Sequence, residues 1–95
     1  MTSQELTEAI KNGRKSFTGE DLRNQSFYGL DLKDADFRGS DLRGALFDET
    51  GLQWAHFDGA DLRGARKYWC DFSSAFFDGA DLRGTDIGKK EALGN

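Results

Sequence analysis

Every fifth residue from Phe17 onward is large and apolar: Phe17, Leu22, Phe27, Leu32, Phe37, Leu42, Phe47, Leu52, Phe57, Leu62, Phe72, Phe77, Leu82 and Ile87, with Lys67 the exception among fifteen positions. Two residues before each of these, over most of the run, the side chain is small: Ala35, Ser40, Ala45, Thr50, Ala55, Ala60, Ala65, Cys70, Ala75, Ala80 and Thr85. A period of five matches neither the 3.6 of a helix nor the 2 of a strand. It matches a chain that makes a quarter turn every five residues, each side a very short extended segment followed by a corner. One large and one small residue of every five then point inward. The other three point outward or form the corner.

A second period, of twenty, lies over the first. Phe17, Phe37, Phe57 and Phe77 form one column, and Leu22, Leu42, Leu62 and Leu82 the next. Phe27, Phe47, Lys67 and Ile87 form the third, and Leu32, Leu52 and Phe72 the fourth. The segment His56–Gly64 reads HFDGADLRG and Phe76–Gly84 reads FFDGADLRG. Four pentads per coil follow, so the chain reads as an all-β solenoid of about four coils. Stacked strands lie ~4.8 Å apart, which makes a rod of roughly 18 Å. Ladders of Phe on Phe and Leu on Leu fill a narrow core without voids.

The ends read differently. Thr2 and Glu5 have capping-box spacing, Leu6, Ala9 and Ile10 share a face, and Gly13 suits a helix stop, so a short helix is expected over 2–12. Its apolar face is expected to cover the first coil, whose small positions hold Lys15, Glu20, Gln25 and Leu30 instead of Ala. The expected organisation is a capping helix and turn over 1–14, the solenoid over 15–89 and a tail over 90–95. Glu91, Ala92 and Leu93 make a weak cap, so the last coil is expected to offer an open edge to a second copy of the chain.

Composition narrows the function. The 12 glycines without a proline say that many corners are made with glycine. A net charge of -4 argues against non-specific nucleic-acid binding, which needs a basic surface. The single cysteine, Cys70, excludes a disulfide framework within one chain and fits a reducing compartment. The N-terminus has no basic and apolar leader pattern, and no apolar run approaches a membrane span. A cytoplasmic protein that binds neither membrane nor nucleic acid is the expectation.

ADLRG at Ala60–Gly64 and Ala80–Gly84, with SDLRG at Ser40–Gly44, resembles the A-(D/N)-L-x-x signature of the pentapeptide-repeat family. The resemblance covers about Lys15 to Lys89 and implies a right-handed quadrilateral β-helix. It implies little about function, since most members have no assigned biochemical role. The quinolone-resistance members look like long acidic dimeric rods that mimic DNA and act on gyrase. This chain has the sign of charge such a mimic needs, but about half the length, and arginines offset its aspartates.

Those aspartates and arginines form columns on either side of the leucines: Asp21, Asp41, Asp61 and Asp81 before them, Arg23, Arg43, Arg63 and Arg83 after them. Both point outward and read as a solvated lattice of ion pairs. Gly19, Gly39, Gly59 and Gly79 mark one set of corners, and Asn24, Gly44, Gly64 and Gly84 the next. Recurring at every coil, they read as turn formers and not as a phosphate loop. Lys67 at an inward position is expected to force a bulge or to snorkel to water, with Tyr68 or Trp69 covering the gap. His56 is alone and outward, and Cys70 sits at a small inward position, so neither a nucleophile triad nor a metal site is indicated. No catalytic residue and no cofactor are expected. The candidate interaction surface is Trp54, Tyr68, Trp69 and Phe76, which lie at corners or point outward and are residue types that dominate protein interfaces. The leading expectation is a non-enzymatic interaction or scaffold module with an unidentified protein partner, and the alternative is a small DNA-mimicking modulator of gyrase.

Overall fold

The computed structural model describes residues 1–87. The end of the solenoid beyond Ile87 and the tail over 90–95 lie outside the described residues.

The chain opens with helix α1, Ser3–Lys11. Thr2 caps it: its hydroxyl accepts from Glu5 N at 3.1 Å while Glu5 Oε1 accepts from Thr2 N at 2.8 Å. These bonds, the one to the Thr2 backbone first, hold the Glu5 carboxyl below its ordinary range. At the other end Arg14 N donates to Ala9 O and Gly13 N to Ile10 O, around Gly13 at φ 99°. That pairing is a Schellman stop, and it needs a residue free of the left-handed penalty. Leu6 and Ile10 are buried against the first coil. Ser3 Oγ donates to Gln25 Oε1 at 2.8 Å and accepts from Ser26 N at 3.2 Å. The polar Gln25 at a small position is thus a partner for the cap.

From Ser16 the chain coils. Three parallel strands, β1 (Ser26–Tyr28), β2 (Leu46–Asp48) and β3 (Arg66–Tyr68), form one side in the order β1-β2-β3. Their register pairs Ser26 with Leu46 and Leu46 with Arg66, a step of twenty. The other three sides pair through single bridges with the same step, such as Ser16 with Asp36, Asp21 with Asp41 and Asp31 with Gly51. The result is the four-sided, right-handed β-helix that the residue pattern and the resemblance imply. Its sides are numbered here by their inward columns: side 1 (Phe17, Phe37, Phe57, Phe77), side 2 (Leu22 to Leu82), side 3 (Phe27, Phe47, Lys67, Ile87) and side 4 (Leu32, Leu52, Phe72).

Aromatic ladders fill the rod. On side 1 successive rings stack at 5.0, 5.1 and 5.3 Å between centroids. Phe27 stacks on Phe47 at 4.8 Å. Phe37 meets both of these rings edge to face, so columns 1 and 3 interdigitate in a herringbone. Such offset and T-shaped pairs suit the ring quadrupole and contribute beyond area burial. The small positions Ala35, Ser40, Ala45, Thr50, Ala55, Ala60 and Ala65 are all buried. Phe77, Ala80 and Leu82 of the last described coil are only partly buried.

Every corner from 19 to 84 has positive φ, not only the glycine ones. Asn24, Asp34, Glu49, Trp54, Trp69 and Ser74 stand at φ between 51° and 63°. Placing a side chain there costs about 1–2 kcal/mol relative to glycine's freedom. The cost is tolerated because neighbouring coils fix the corner; Trp54 N, for instance, donates to Ser73 O at 3.1 Å.

Of the two alternatives expected at Lys67, the structure removes the bulge and leaves the residue partly exposed. It forms no bulge: β3 keeps register, with Lys67 opposite Phe47. Tyr68 and Trp69, expected to cover the gap, are themselves exposed. Instead the next column changes. Phe72 stands where Leu32 and Leu52 stand below it, and its ring reaches Phe47 at 6.1 Å and Phe57 at 5.9 Å. A larger residue in column 4 thus fills core volume beside the place where column 3 loses its ring.

Candidate protein-interaction surface

Side 2 carries the ion-pair lattice. Each arginine grips the aspartate of its own coil: Arg43 Nη2 lies 2.6 Å from Asp41 Oδ2 and Arg63 Nη2 2.6 Å from Asp61 Oδ2. The first three also reach the next coil, at 3.8 Å from Arg23 to Asp41, 3.7 Å from Arg43 to Asp61 and 3.6 Å from Arg63 to Asp81. The aspartates have a second task that charge counting missed. Asp Oδ1 accepts the backbone N–H two residues on, at 2.8–3.2 Å, for Asp21, Asp31, Asp36, Asp41, Asp61, Asp71 and Asp81. That is an Asx-type bond, available because the tight turn leaves this N–H without a ladder partner. Bonds from the Arg23 and Arg83 side chains, foremost, hold Asp21 and Asp81 down at about 2. Asp41 and Asp61 are lowered for the same leading reason.

On side 3 the corner is stitched by side chains. Thr50 Oγ1 lies 3.1 Å from both Phe27 O and Asp48 O, and Cys70 Sγ repeats the arrangement one coil on, 3.2 Å from Phe47 O. Burial, ahead of every other cause, pushes the Cys70 thiol up, which makes it a poor nucleophile.

Trp54, Tyr68, Trp69 and Phe76 are exposed to 50%, 49%, 90% and 38%. The structure divides them into two groups. Trp54, at the corner between sides 4 and 1, lies 6.3 Å from Phe76 on side 1. His56 joins them, its ring stacked on Phe76 at 4.6 Å with 8° between planes. Tyr68 and Trp69 stand at the corner between sides 3 and 4, and side 4 separates the two groups. His56 is the residue that sequence reasoning left out of the surface. The signal was present: His56 and Phe76 are twenty apart in one outward column, and the bridge between them pairs their backbones.

Side 1 also differs from side 2 in charge. Arg38 is engaged by Asp36 at 2.6 Å, and the two next residues of its column are Asp58 and Asp78. Among the described residues neither aspartate has an ion-pair partner, and Asp58 Oδ1 is buried without a hydrogen bond. Among the described residues no group of three His, Cys, Asp or Glu is placed to hold a metal ion, and no helix is long and apolar enough to cross a membrane.

The geometry defines a solenoid protein with a side-chain-filled core and its chemistry on its outer faces. Pentapeptide repeats match residues 16–44, 26–64 and 50–87, and the chain belongs to that family. No curated protein matches it as a sequence relative. Among solved structures it is similar to HetL, a pentapeptide repeat protein involved in heterocyst differentiation regulation in the cyanobacterium Nostoc sp. strain PCC 7120, with a TM-score of 0.80 and 25% identity over 90% of this chain. The match takes in 36% of HetL, so this chain spans about a third of that protein. It is also similar to alr5209, a pentapeptide repeat protein of Nostoc PCC 7120, with a TM-score of 0.52 and 29% identity over 93% of this chain and 77% of the other. QnrB1, a plasmid-mediated fluoroquinolone resistance protein, aligns over 76% of this chain and 48% of its own with a TM-score of 0.45, too loose a likeness to carry an argument.

Proposed function

We propose that this protein is a non-enzymatic interaction module that presents exposed aromatic residues on a rigid rod. The observation that carries the reading is the contiguous set Trp54, His56 and Phe76, with Trp54 exposed to 50% and Phe76 to 38%. Residues of this kind, clustered and held by a stiff support, are what interfaces use as anchors. The filled core supports the same reading, because among the described residues Phe and Leu ladders occupy the rod's axis, where a substrate would otherwise sit. HetL's regulatory involvement fits a protein that works by contact. The DNA-mimic alternative is less well supported, because the regular side 2 pairs each aspartate with an arginine. The work would take place in the cytoplasm, with Tyr68 and Trp69 as a second contact area. End-to-end pairing with a second copy is part of the proposal, since Phe77, Ala80 and Leu82 are half-buried where Phe57, Ala60 and Leu62 are fully buried.

The test is photo-crosslinking in the source cell with benzoylphenylalanine in place of Phe76 or, on side 2, Arg83. A cross-linked protein from position 76 and not from 83 is expected. Products from neither position reject an interaction role for these faces, and products from 83 alone move it to the ion-pair lattice.

A further inference from the structure

Asp58 and Asp78 sit one coil apart in the outward column of side 1, ~4.8 Å from one another along the rod. Everywhere on side 2 the equivalent position is an arginine that neutralises the aspartate beside it. On side 1 the pattern inverts: below Asp58 the one arginine, Arg38, is already held by Asp36 through three short contacts. Asp58 Oδ1 is shielded from water and accepts no hydrogen bond. Across the inward Phe57 and Phe77, on the same two segments, stand His56 and Phe76, with Trp54 at the corner beside them. Two carboxylates with no cation at ion-pair distance among the described residues, Asp58 sharing only the longer-range field of Arg38, thus border a tier of exposed ring faces.

The geometry points to this part of side 1 as a docking site for an arginine-bearing extended segment of a partner protein. The inference rests on the interaction reading above and specifies the chemistry of the partner. A guanidinium is flat and weakly hydrated, stacks on aromatic faces and pairs with carboxylates through its fork of N–H donors. A ring tier and a carboxylate column on one face offer it both contacts. A lysine would satisfy only the charge, and an apolar side chain only the rings. An acidic segment is repelled, which separates this site from the neutral side 2. An extended segment fits because the carboxylates and the rings run as parallel columns along the rod.

The probe is a short peptide, acetyl-Gly-Arg-Gly-Arg-Gly-amide, titrated into the full chain carrying Trp69→Phe, so that Trp54 supplies the single indole signal. Proton–nitrogen correlation spectra follow the Trp54 indole and the backbone of 56–58 and 76–78. Saturable shifts confined to these groups are expected, with affinity lowered about tenfold or more in Asp58→Asn/Asp78→Asn and in Phe76→Ala. The lysine counterpart is expected to bind more weakly, and the citrulline counterpart, which has the shape without the charge, not measurably. Equal binding of the citrulline peptide, full affinity in the double Asn variant, shifts spread over side 2, or no binding would each overturn the inference. The Asn variant keeps the shape of both side chains and so should fold, as its amide spectrum will show. A cross-link at position 76 with no arginine preference sinks this inference alone; the absence of any cross-link sinks the interaction reading.

Discussion

Leu42, Leu62 and Leu82 have the same chemistry and the same place in the repeat, yet truncating them should not cost the same. Leu62 is fully buried, with Leu42 on one side and Leu82 on the other. Buried Leu→Ala changes cost about 2–5 kcal/mol, the higher values where the surroundings cannot collapse. Around Leu62 they cannot. Its coil is clamped to both neighbours by Leu62 N to Asp81 O at 2.9 Å, Leu42 N to Asp61 O at 2.8 Å, Asp61 N to Ser40 O at 2.9 Å and Asp81 N to Ala60 O at 2.9 Å. Leu62→Ala should therefore cost about 3–5 kcal/mol. Leu82 is half-buried, so it forfeits part of the transfer contribution and leaves an open notch instead of a cavity. Leu82→Ala should cost roughly 1–2 kcal/mol. Arg63→Ala removes two solvated ion pairs from a side chain that is 42% exposed and should cost about 0–1 kcal/mol. In a domain of this size about 1 kcal/mol moves the midpoint by ~4–8 °C, so Leu62→Ala should lower Tm by ~12 °C or more. Thermal unfolding followed by circular dichroism ranks the variants. Equal losses at Leu62 and Leu82, or a loss at Arg63 to match Leu62, would refute the assignment of inside and outside and the rigid-coil argument with it.

The aspartate turns give a pH signature. Asp21, Asp41, Asp61 and Asp81 lie below the ordinary 3.8, with Asp21 and Asp81 at about 2, so the unfolded chain takes up protons before the folded one as pH falls. Urea midpoints should hold from neutral pH to near 4 and then decline toward 2; a midpoint that rises below pH 4 would reverse the sign. Thr50→Val keeps shape but leaves Phe27 O without its hydroxyl neighbour, and should cost about 1–3 kcal/mol in urea unfolding. Cys70→Ser, which keeps a donor at the same place, should cost less than Cys70→Ala. Gly59→Ala meets no atom within 4 Å but stands at φ +69°, so a loss of about 1 kcal/mol or more would come from the backbone alone, and a neutral result would disprove that.

The architecture was legible because inward residues are read by size alone. A large side chain at every fifth position and its recurrence at twenty leave one geometry, and Leu6 with Ile10 gives the cap. What escaped the sequence has a common physical origin: one residue serving two neighbours. Asp61 looks like half of an ion pair, and its bond to the Arg63 N–H depends on a turn that hides that N–H from the ladder. Trp54, Trp69 and Glu49 do not advertise left-handed corners, and at Trp54 and Glu49 the strain is borne by bonds to the adjacent coil. Lys67 was read against its immediate neighbours in sequence, whereas the larger ring stands in the adjacent column, at Phe72. His56 was legible as outward but not as a ring partner, since stacking depends on what stands one coil away and not on what stands beside it in the chain.

The step of twenty between paired residues makes the rod a counter of angle as well as of length. Inserting twenty residues of this pattern between Gly44 and Ala45 would lengthen it by ~4.8 Å and return every later side chain to its original compass bearing. Inserting five would keep a large residue at every inward position but set Phe columns on Leu columns, and would turn all that follows through a quarter revolution. Trp54, His56 and Phe76 would travel together to a different bearing from α1. Small changes in copy number thus re-aim a surface without remaking it, a freedom that a protein closed around a single core does not have.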